Sequence, residues 1–481
     1  MKAVARITVI LSVGLSACAV GPDFKVPDAP ATKAYVSEQE ILTLDQRIAL
    51  GHRVESEWWT LFGSPTLNDL IRQAVRGNHG LSAARETLAQ AQAAVDAESG
   101  SLMPQVSLDA IAGRQKYGVA LFGPSNFFIP PFTYYEAGPA FSWTLDLFGG
   151  GQRRVERQQA MAAYQSHEME ALYVALTGNV ASQTVQLAAL RSEINEAEKL
   201  LQADTQLLAL TQTSFDAGAS TRSDVLKAQS RLAADRALLP PLEQRYSLSA
   251  HTLSVLVGRA PGDWSPPDVA FGQLAFPTEL PLALPSELVR KRPDILAAEA
   301  NLHAASATVG IATANLYPSL TLSANMFQEA LTPTRLFYGA SNAWALAGGL
   351  SAPIFDGGTL SAQKREAEHA FQAALSEYRQ TVVHAFGQVA DVLTALSHDG
   401  EFLNAMSTGA QTAHAALDIA RKSYEAGNTG LLDVALARRS DALAQLQLAD
   451  ARVNQYLDAI RLFVALGGSP LDKVPAAQAS E

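Results

Sequence analysis

Two stretches of this sequence, from about Gln152 to Ala217 and from about Thr359 to Ala426, contain no proline and are rich in Ala, Gln, Leu and Glu. That composition favours helix, and roughly 66 residues rising 1.5 Å each extend about 100 Å, far beyond the span of a globular core. The two stretches are copies of each other. Ser214-Phe215-Asp216-Ala217-Gly218, with Ser223-Asp224-Val225 after it, recurs as Ser423-Tyr424-Glu425-Ala426-Gly427 with Leu432-Asp433-Val434, so that Phe215 aligns with Tyr424, 209 positions later. Upstream, Leu102-Met103-Pro104-Gln105-Val106-Ser107-Leu108 recurs as Leu316-Tyr317-Pro318-Ser319-Leu320-Thr321-Leu322, and Pro104 and Pro318 lie 214 positions apart. The chain is therefore read as an internal duplication with a longer loop in the first copy.

Each copy reads helix, strand, loop, strand, very long helix, return helix. Tyr135 to Leu145 alternates Tyr135, Ala137, Pro139, Phe141, Trp143 and Leu145 with smaller or polar residues, the period of a strand with one apolar face. Val106 to about Lys116 is its partner, with Ile111 out of pattern. The second copy offers Leu320, Leu322, Ala324 and Met326, then Trp344, Leu346 and Leu350. Beyond Cys18 no window approaches the ~20 apolar residues of a membrane-spanning helix, so a membrane is crossed only by strands closed into a barrel. Four strands are too few, since single-chain barrels begin at about eight. Several protomers must share one barrel. After each hairpin come the glycines Gly149-Gly150-Gly151 or Gly357-Gly358, and the return helices are expected over Ser223 to Val257 and Leu431 to Leu466, packed as coiled coils on the long ones. Pro240-Pro241 must kink or interrupt the first of these.

The chain holds a single cysteine, Cys18. Lys2 and Arg6, an apolar stretch from Ile7 to Leu15 and the small residues Ser16 and Ala17 precede it, which is the layout of a secretory signal. Leu15-Ser16-Ala17-Cys18 resembles the lipobox of bacterial lipoproteins, which implies cleavage before Cys18 and acylation of it. Ala19 follows where aspartate would resemble an inner-membrane retention signal, so outer-membrane sorting is expected. The domain reading is a signal peptide over 1–17, a lipidated tether over 18–60, a first repeat over 61–260, a proline-rich extended linker over 261–285, a second repeat over 286–468 and a disordered tail over 469–481.

Charge and chemistry narrow the function. With 36 Lys+Arg against 47 Asp+Glu the net charge is −11, and no basic run provides a nucleic-acid footprint. One cysteine excludes a thiolate zinc site within a protomer. Ser361-Ala362-Gln363-Lys364 fits S-x-x-K but lacks the companion motifs of an acyl-transfer enzyme. Glu366 and His369 form one E-x-x-H where a di-iron bundle needs two. His369, His384, His398 and His414 step by about 22 Å along a helix, too far to share a metal. No enzyme activity, cofactor or metal is expected.

Leu284-Pro285-Ser286-Glu287-Leu288-Val289-Arg290-Lys291-Arg292-Pro293-Asp294-Ile295, with Leu316-Tyr317-Pro318-Ser319 downstream, resembles the TolC-like outer-membrane efflux family, in its NodT/OprM-type lipoprotein branch. Cys18-Ala19-Val20-Gly21-Pro22-Asp23-Phe24, Trp58-Trp59 with Leu61-Phe62-Gly63, and Leu145-Asp146-Leu147-Phe148-Gly149-Gly150 match the same branch in order, across essentially the whole mature length. The fold class expected is mainly α with a membrane β-barrel. The resemblance implies a homotrimer whose four strands per chain close a 12-stranded barrel in the outer-membrane lipid, continued by a helical periplasmic tunnel. It also implies a periplasmic adaptor protein and an inner-membrane pump of the RND type as partners. A coiled-coil lipoprotein spacer and a passive porin are the alternatives; a spacer needs no strands, and a porin needs no helices of about 100 Å.

A gate is expected at the turns Gly218–Ser220 and Gly427–Gly430. In related channels the second return helix carries a ring of acids, and Asp433 matches the first of a pair, with Asp224 its first-copy counterpart. Leu436 stands where that family usually has an aspartate, and Arg439 resembles a basic residue kept nearby. Leu432 and Leu436 share one helix face, so the constriction from three copies is expected to be largely apolar. Three Asp433 carboxylates at about 6 Å would repel by roughly 3 kcal/mol per pair at an effective dielectric of 20.

Overall fold

The computed structural model describes residues 20–30, 32, 34–36, 47–50, 56–116, 130–277 and 279–467. Cys18, the signal segment and the tail over 469–481 lie outside them. In chain order the elements are β1 (Arg47–Leu50), α1 (Pro65–Gly77), α2 (His79–Ser101), β2 (Gln105–Gln115), β3 (Phe132–Leu145), α3 (Gly150–Asp216), α4 (Arg222–Arg236) and α5 (Leu239–Leu256). Then follow β4 (Glu279–Leu282), α6 (Pro285–Leu288), α7 (Pro293–Ala314), β5 (Ser319–Ala330), β6 (Asn342–Ser351), α8 (Thr359–Glu425) and α9 (Leu431–Ala465). The molecule is mostly helical, and α3 and α8 each run 67 residues without a break. Among the described residues no helix is long and apolar enough to cross a membrane.

Both long helices end the same way, which explains the repeated Ser-aromatic-acid-Ala-Gly motif. Gly218 (φ +75°) donates to Phe215 O, and Ala219 to Ser214 O. Gly427 (φ +76°) donates to Tyr424 O, and Asn428 to Ser423 O. These are the paired backbone bonds of a glycine-terminated helix, where a left-handed residue lets the chain reverse and satisfies the last carbonyls. The starts are also alike. Asp146 accepts from Gln152 N at 2.7 Å, and Asp356 from Leu360 N at 2.7 Å and Gly358 N at 2.9 Å. These backbone donors hold the Asp356 carboxyl below the usual carboxylate range.

The first return helix departs from the single element expected over Ser223 to Val257. It is two helices, α4 and α5, parted at Ala237–Leu238, and Pro240 and Pro241 occupy the first turn of α5, where an amide hydrogen is unpaired in any case. α9 is continuous. The segment read as a linker over 261–285 contains a 3-10 turn at Phe271–Gln273 and the strand β4. Its β4 pairs in parallel with β1, setting Ile48 opposite Leu280, and Leu280 and Leu282 are fully buried.

Chain contacts divide the molecule into two units, and each draws on both repeats. The first unit holds an antiparallel sheet in the order β2-β3-β5-β6. Its registers put Val106, Leu108, Ala110 and Ala112 on one face with Phe141, Pro139, Ala137 and Tyr135, then with Leu322, Ala324, Leu346 and Leu350 across the remaining strands. One face is thus almost wholly apolar, and Ile111 lies on the other, opposite Glu136. Pro139 is tolerated in an interior strand because the β3–β5 ladder is interrupted at Gly138 and Pro139. A Cβ at Gly138 would lie 2.0 Å from Met326 O, so only glycine fits that approach.

In the same unit the chain after Val20 is clamped. Val20 N donates to Phe148 O at 3.0 Å. The buried Arg153 donates to Asp23 and Glu156, each at 2.7 Å, and Phe24 stacks on His303 at 4.4 Å. The Gly21-Pro22-Asp23-Phe24 motif is explained by these contacts.

The second unit packs around Trp58, which stacks on Phe463 at 5.1 Å and meets Trp59 and Phe62 edge-on. Arg292 caps the end of α9 by donating to Ala465 O at 2.8 Å while holding Asp294 at 2.8 Å. The Trp-Trp and Arg-Pro-Asp motifs are therefore packing motifs of this unit.

Candidate functional site

The candidate site lies in the second unit, where α3 turns into α4 and α8 turns into α9. At the first turn Thr221 and Asp224 cap α4 reciprocally: Asp224 N donates to Thr221 Oγ1 at 3.3 Å, and Thr221 N donates to Asp224 Oδ2 at 3.1 Å. The Thr221 hydroxyl, at 2.6 Å, and its amide hold the Asp224 carboxyl below its ordinary range. Lys227 lies 3.5 Å from the same carboxylate.

At the second turn the residue before α9 is Gly430, which has no side chain to cap with. Only the return bond is made, from Gly430 N to Asp433 Oδ2 at 3.0 Å. Leu432 and Leu436 are 46% and 41% exposed at the start of α9, and Leu226 is 51% exposed at the start of α4. A cavity of about 320 Å³ lies beside the start of α9, lined by Gln206, Ala209 and Leu210 of α3 and by Leu431, Val434 and Ala435 of α9.

Arg439 lies two turns into α9 and bridges three helices. Its Nε donates to Asp204 Oδ1 of α3 at 3.1 Å, and its Nη2 to Asp235 Oδ2 of α4 at 2.5 Å. The guanidinium is only 20% exposed and the Asp204 side chain 1%. Burial, together with the neighbouring Asp235 carboxyl, pushes Asp204 up to about 6 despite the opposing charges of Arg439 and Arg231. Arg438 adds a bond to Gln206 at 2.9 Å. The structure therefore places Leu432, Asp433 and Leu436 together at the start of α9, puts Arg439 in a fixed ion-pair network, and sets Asp224 in the cap of the other turn.

Sequence reasoning missed Asp204 and Asp235. One signal was available: the positions 209 residues away from Asp204, Asp235 and Arg439 are Ala413, Ala444 and Ser230. The duplicated pattern breaks its own symmetry where this charge cluster sits.

The sequence family described as outer membrane efflux protein matches residues 70–259 and 284–468. The chain belongs to that family. Its place is the outer membrane and its work is efflux. It is 32% identical to the pyoverdine export outer membrane protein OpmQ of Pseudomonas putida over 422 residues, covering 86% of this chain and 88% of that one. It is 29% identical to nodulation protein T of Rhizobium leguminosarum bv. trifolii over 452 residues, 92% of this chain and 93% of that one. Among solved structures, the outer-membrane channel OprN superposes with a TM-score of 0.84 at 30% identity, covering 94% of this chain and 99% of that one.

Proposed function

We propose that the protein is the outer-membrane exit duct of a tripartite efflux system, a homotrimer in which three four-stranded sheets close a 12-stranded barrel. The observation that carries the reading is the sheet itself. Its outer strands β2 and β6 each have a ladder partner on one side only among the described residues, and its apolar face extends across both edges. A long apolar strand with an unpaired edge is an aggregation hazard in a monomer and is removed by closure into a barrel. In a membrane, closure also satisfies every backbone group that lipid cannot.

In this reading substrates arrive from an inner-membrane pump of the RND type through a periplasmic adaptor protein, and the duct conducts them passively. Cys18, two residues before the clamped Val20, carries the lipid anchor. The gate is the start of α9, where Leu432, Leu436 and Asp433 from three copies approach one another. Arg439 holds the gate closed by tying α9 to α3 and α4 through Asp204 and Asp235. Breaking a buried pair by removing one partner leaves an uncompensated charge and costs about 3–5 kcal/mol, so these contacts suffice to bias a helix end between two positions.

Particle mass in detergent tests the duct. A trimer is expected, and a monomer would defeat the shared barrel. Leu322→Arg, on the apolar face, should cost about 2–4 kcal/mol near the bilayer midplane and deplete the membrane-inserted form. Mass spectrometry of the mature chain should find acyl mass on Cys18.

A further inference from the structure

A second pair of acids lies in the α8–α9 hairpin, away from the turns. Asp399 of α8 faces Asp458 of α9 at hydrogen-bonding distance, and the Asp458 side chain is only 9% exposed. Arg461, one turn further along α9, donates to Asp458 Oδ1 at 2.5 Å. Asp399 Oδ2 is buried and finds no donor among the described residues. An ionised carboxylate can only accept hydrogen bonds, whereas a protonated one also donates, so the contact between these two acids is repulsive unless one of them holds a proton.

The other charged groups around the pair are few. His398 on α8 is exposed and lies 3.9 Å from Glu401. Arg461 also lines a cavity of about 630 Å³, where Asp391 and Arg292 are the remaining charged residues and α3 presents only neutral side chains, Gln183 and Gln186 among them. Arg292 is already held by Asp294. Among the described residues no three acids, histidines or cysteines gather to hold a metal ion, so the group that reconciles the two carboxyls is a proton.

The first repeat closes the same level of its own hairpin without charge. α3 and α8 match over their full 67 residues at an offset of 209, and the positions equivalent to Asp399, Asp458 and Arg461 are Leu190, Ser249 and Thr252. Leu190 and Ser249 are buried, and the Ser249 hydroxyl donates to Gln183 Oε1 at 2.8 Å. Packing two long helices therefore does not require acids here.

We infer that Asp399 and Asp458 are a proton-operated latch between α8 and α9: one proton bridges the two carboxyls while Arg461 meets the negative charge that remains, and without it the carboxylates push the helices apart. The proton comes from solvent and returns to it. The latch rests neither on the shared barrel nor on the gate. Burial, followed by the hydrogen bond to Asp458 and that residue's charge, pushes Asp399 up to about 7 against Arg461 and His398. The folded hairpin thus holds this proton more tightly than an unfolded chain, where an aspartate titrates near about 3.9. The stabilisation is complete below about pH 4 and is lost as pH rises through about 7.

Infrared titration of the full chain, extracted in detergent from the outer membrane, tests the latch. The parent should lose a protonated-carboxyl C=O band with a midpoint near 7. Asp399→Asn keeps a donor toward Asp458, carries no charge and should lack that band. Subtracting its spectrum also removes Asp204 and Glu193, whose carboxyls are raised too. Two further variants separate a latch from a buried acid without a partner. Asp458→Asn removes the neighbouring negative charge and should lower the midpoint by about one pH unit or more, whereas Arg461→Gln removes the opposing positive charge and should raise it. The melting temperature of the parent should fall between about pH 5 and 8, and Asp399→Asn should lose that part of the fall. If Asp399→Asn does not fold, Asp399→Leu with Asp458→Ser, the pair of the first repeat, serves as the variant without the band. The absence of any band above about pH 6 that these variants remove, as when water bridges two ionised acids, overturns the latch. So does an Asp458→Asn midpoint equal to that of the parent, which would leave Asp399 raised by burial alone.

Discussion

The two helical turns descend from one motif and are built differently. At the first, Ser220 donates to Thr211 O at 3.2 Å, Thr221 and Asp224 cap each other, and Lys227 pairs with the capping acid. At the second, the equivalent positions hold Thr429, whose hydroxyl oxygen is buried without a partner, Gly430, Asp433 with one backbone bond, and Leu436. Ser223 and Lys227 face solvent in the first, where the second exposes Leu432 and Leu436. The first turn is stabilised by its own residues. The second is linked to α3 and α4 two turns away, through Arg439, and leaves Leu432 and Leu436 partly exposed. In the proposed gate reading the start of α9, with the weaker local cap, is the moving part and the start of α4 the fixed one.

Removing the tether should break this contrast most strongly. Arg439→Ala removes the guanidinium that hydrogen-bonds both Asp204 and Asp235, leaving only the charge of Arg231 nearby, and the link from α9 to α3 and α4 is lost, so the closed position should lose its advantage. Resting conductance of single channels in planar bilayers should rise at least about tenfold. Ser230→Ala, the first-copy counterpart, should change nothing. Equal conductance for Arg439→Ala and the parent would show that the tether does not hold the gate.

The exposed leucines come next. Leu432→Ser with Leu436→Ser removes apolar contact between copies while leaving Arg439 in place, so resting conductance should rise by a smaller factor. Lys227→Leu with Ser223→Leu makes the first turn resemble the second in surface and should leave conductance unchanged, because its cap is intact. If the first-turn variant closes the channel, the two turns share the gate.

The size of these effects bears on how much the sequence could disclose. Helix length was legible from the missing prolines, and the apolar faces of the strands from the period of two, because both are local properties written into consecutive residues. The two repeat offsets, 214 and 209, reappear in the ladders for the same reason. The Arg439 network was not legible, since Asp204 and Asp235 lie 235 and 204 positions from Arg439 and meet it only through the packing of three helices. The β4 strand escaped notice because prolines and short length mask a four-residue ladder whose stability comes from burial of Leu280 and Leu282.

Acidity should sharpen the contrast by a smaller amount. Asp204 is raised from an ordinary 3.8 to about 6, so the packed tip binds its proton more tightly than a separated tip does. The stabilisation this proton gives is complete below about pH 4 and is lost as pH rises through about 6. Once protonated, Asp204 no longer adds a buried negative charge beside Asp235. The closed state should therefore be tighter at pH 5 than at pH 7.5, read as lower resting conductance. Asp204→Asn mimics the protonated form and should flatten the dependence between about 4 and 6. A parent channel that opens on acidification would reverse the sign and remove Asp204 from the gate.

The smallest effect concerns the missing cap. Thr221→Ala should lower stability by about 1 kcal/mol, the usual cost of losing a threonine cap to alanine, and should appear as a lower melting temperature with unchanged conductance. The reverse experiment is more informative. Gly430 has extended backbone angles, φ −82° and ψ 161°, that any residue adopts, and the nearest atom to an added Cβ is Asp433 Oδ2 at 3.8 Å. Gly430→Thr can therefore complete the reciprocal cap that Asp433 already half makes. Threonine improves on glycine at such a position by only a few tenths of a kcal/mol, so the melting temperature should barely move. The helix start would nonetheless gain a local bond that has to be strained when the tip rearranges, and opening events should become rarer in the Arg439→Ala background, where no tether remains to hide a small term. If the double variant opens as often as Arg439→Ala alone, the weak cap of α9 is a property of its sequence with no part in opening.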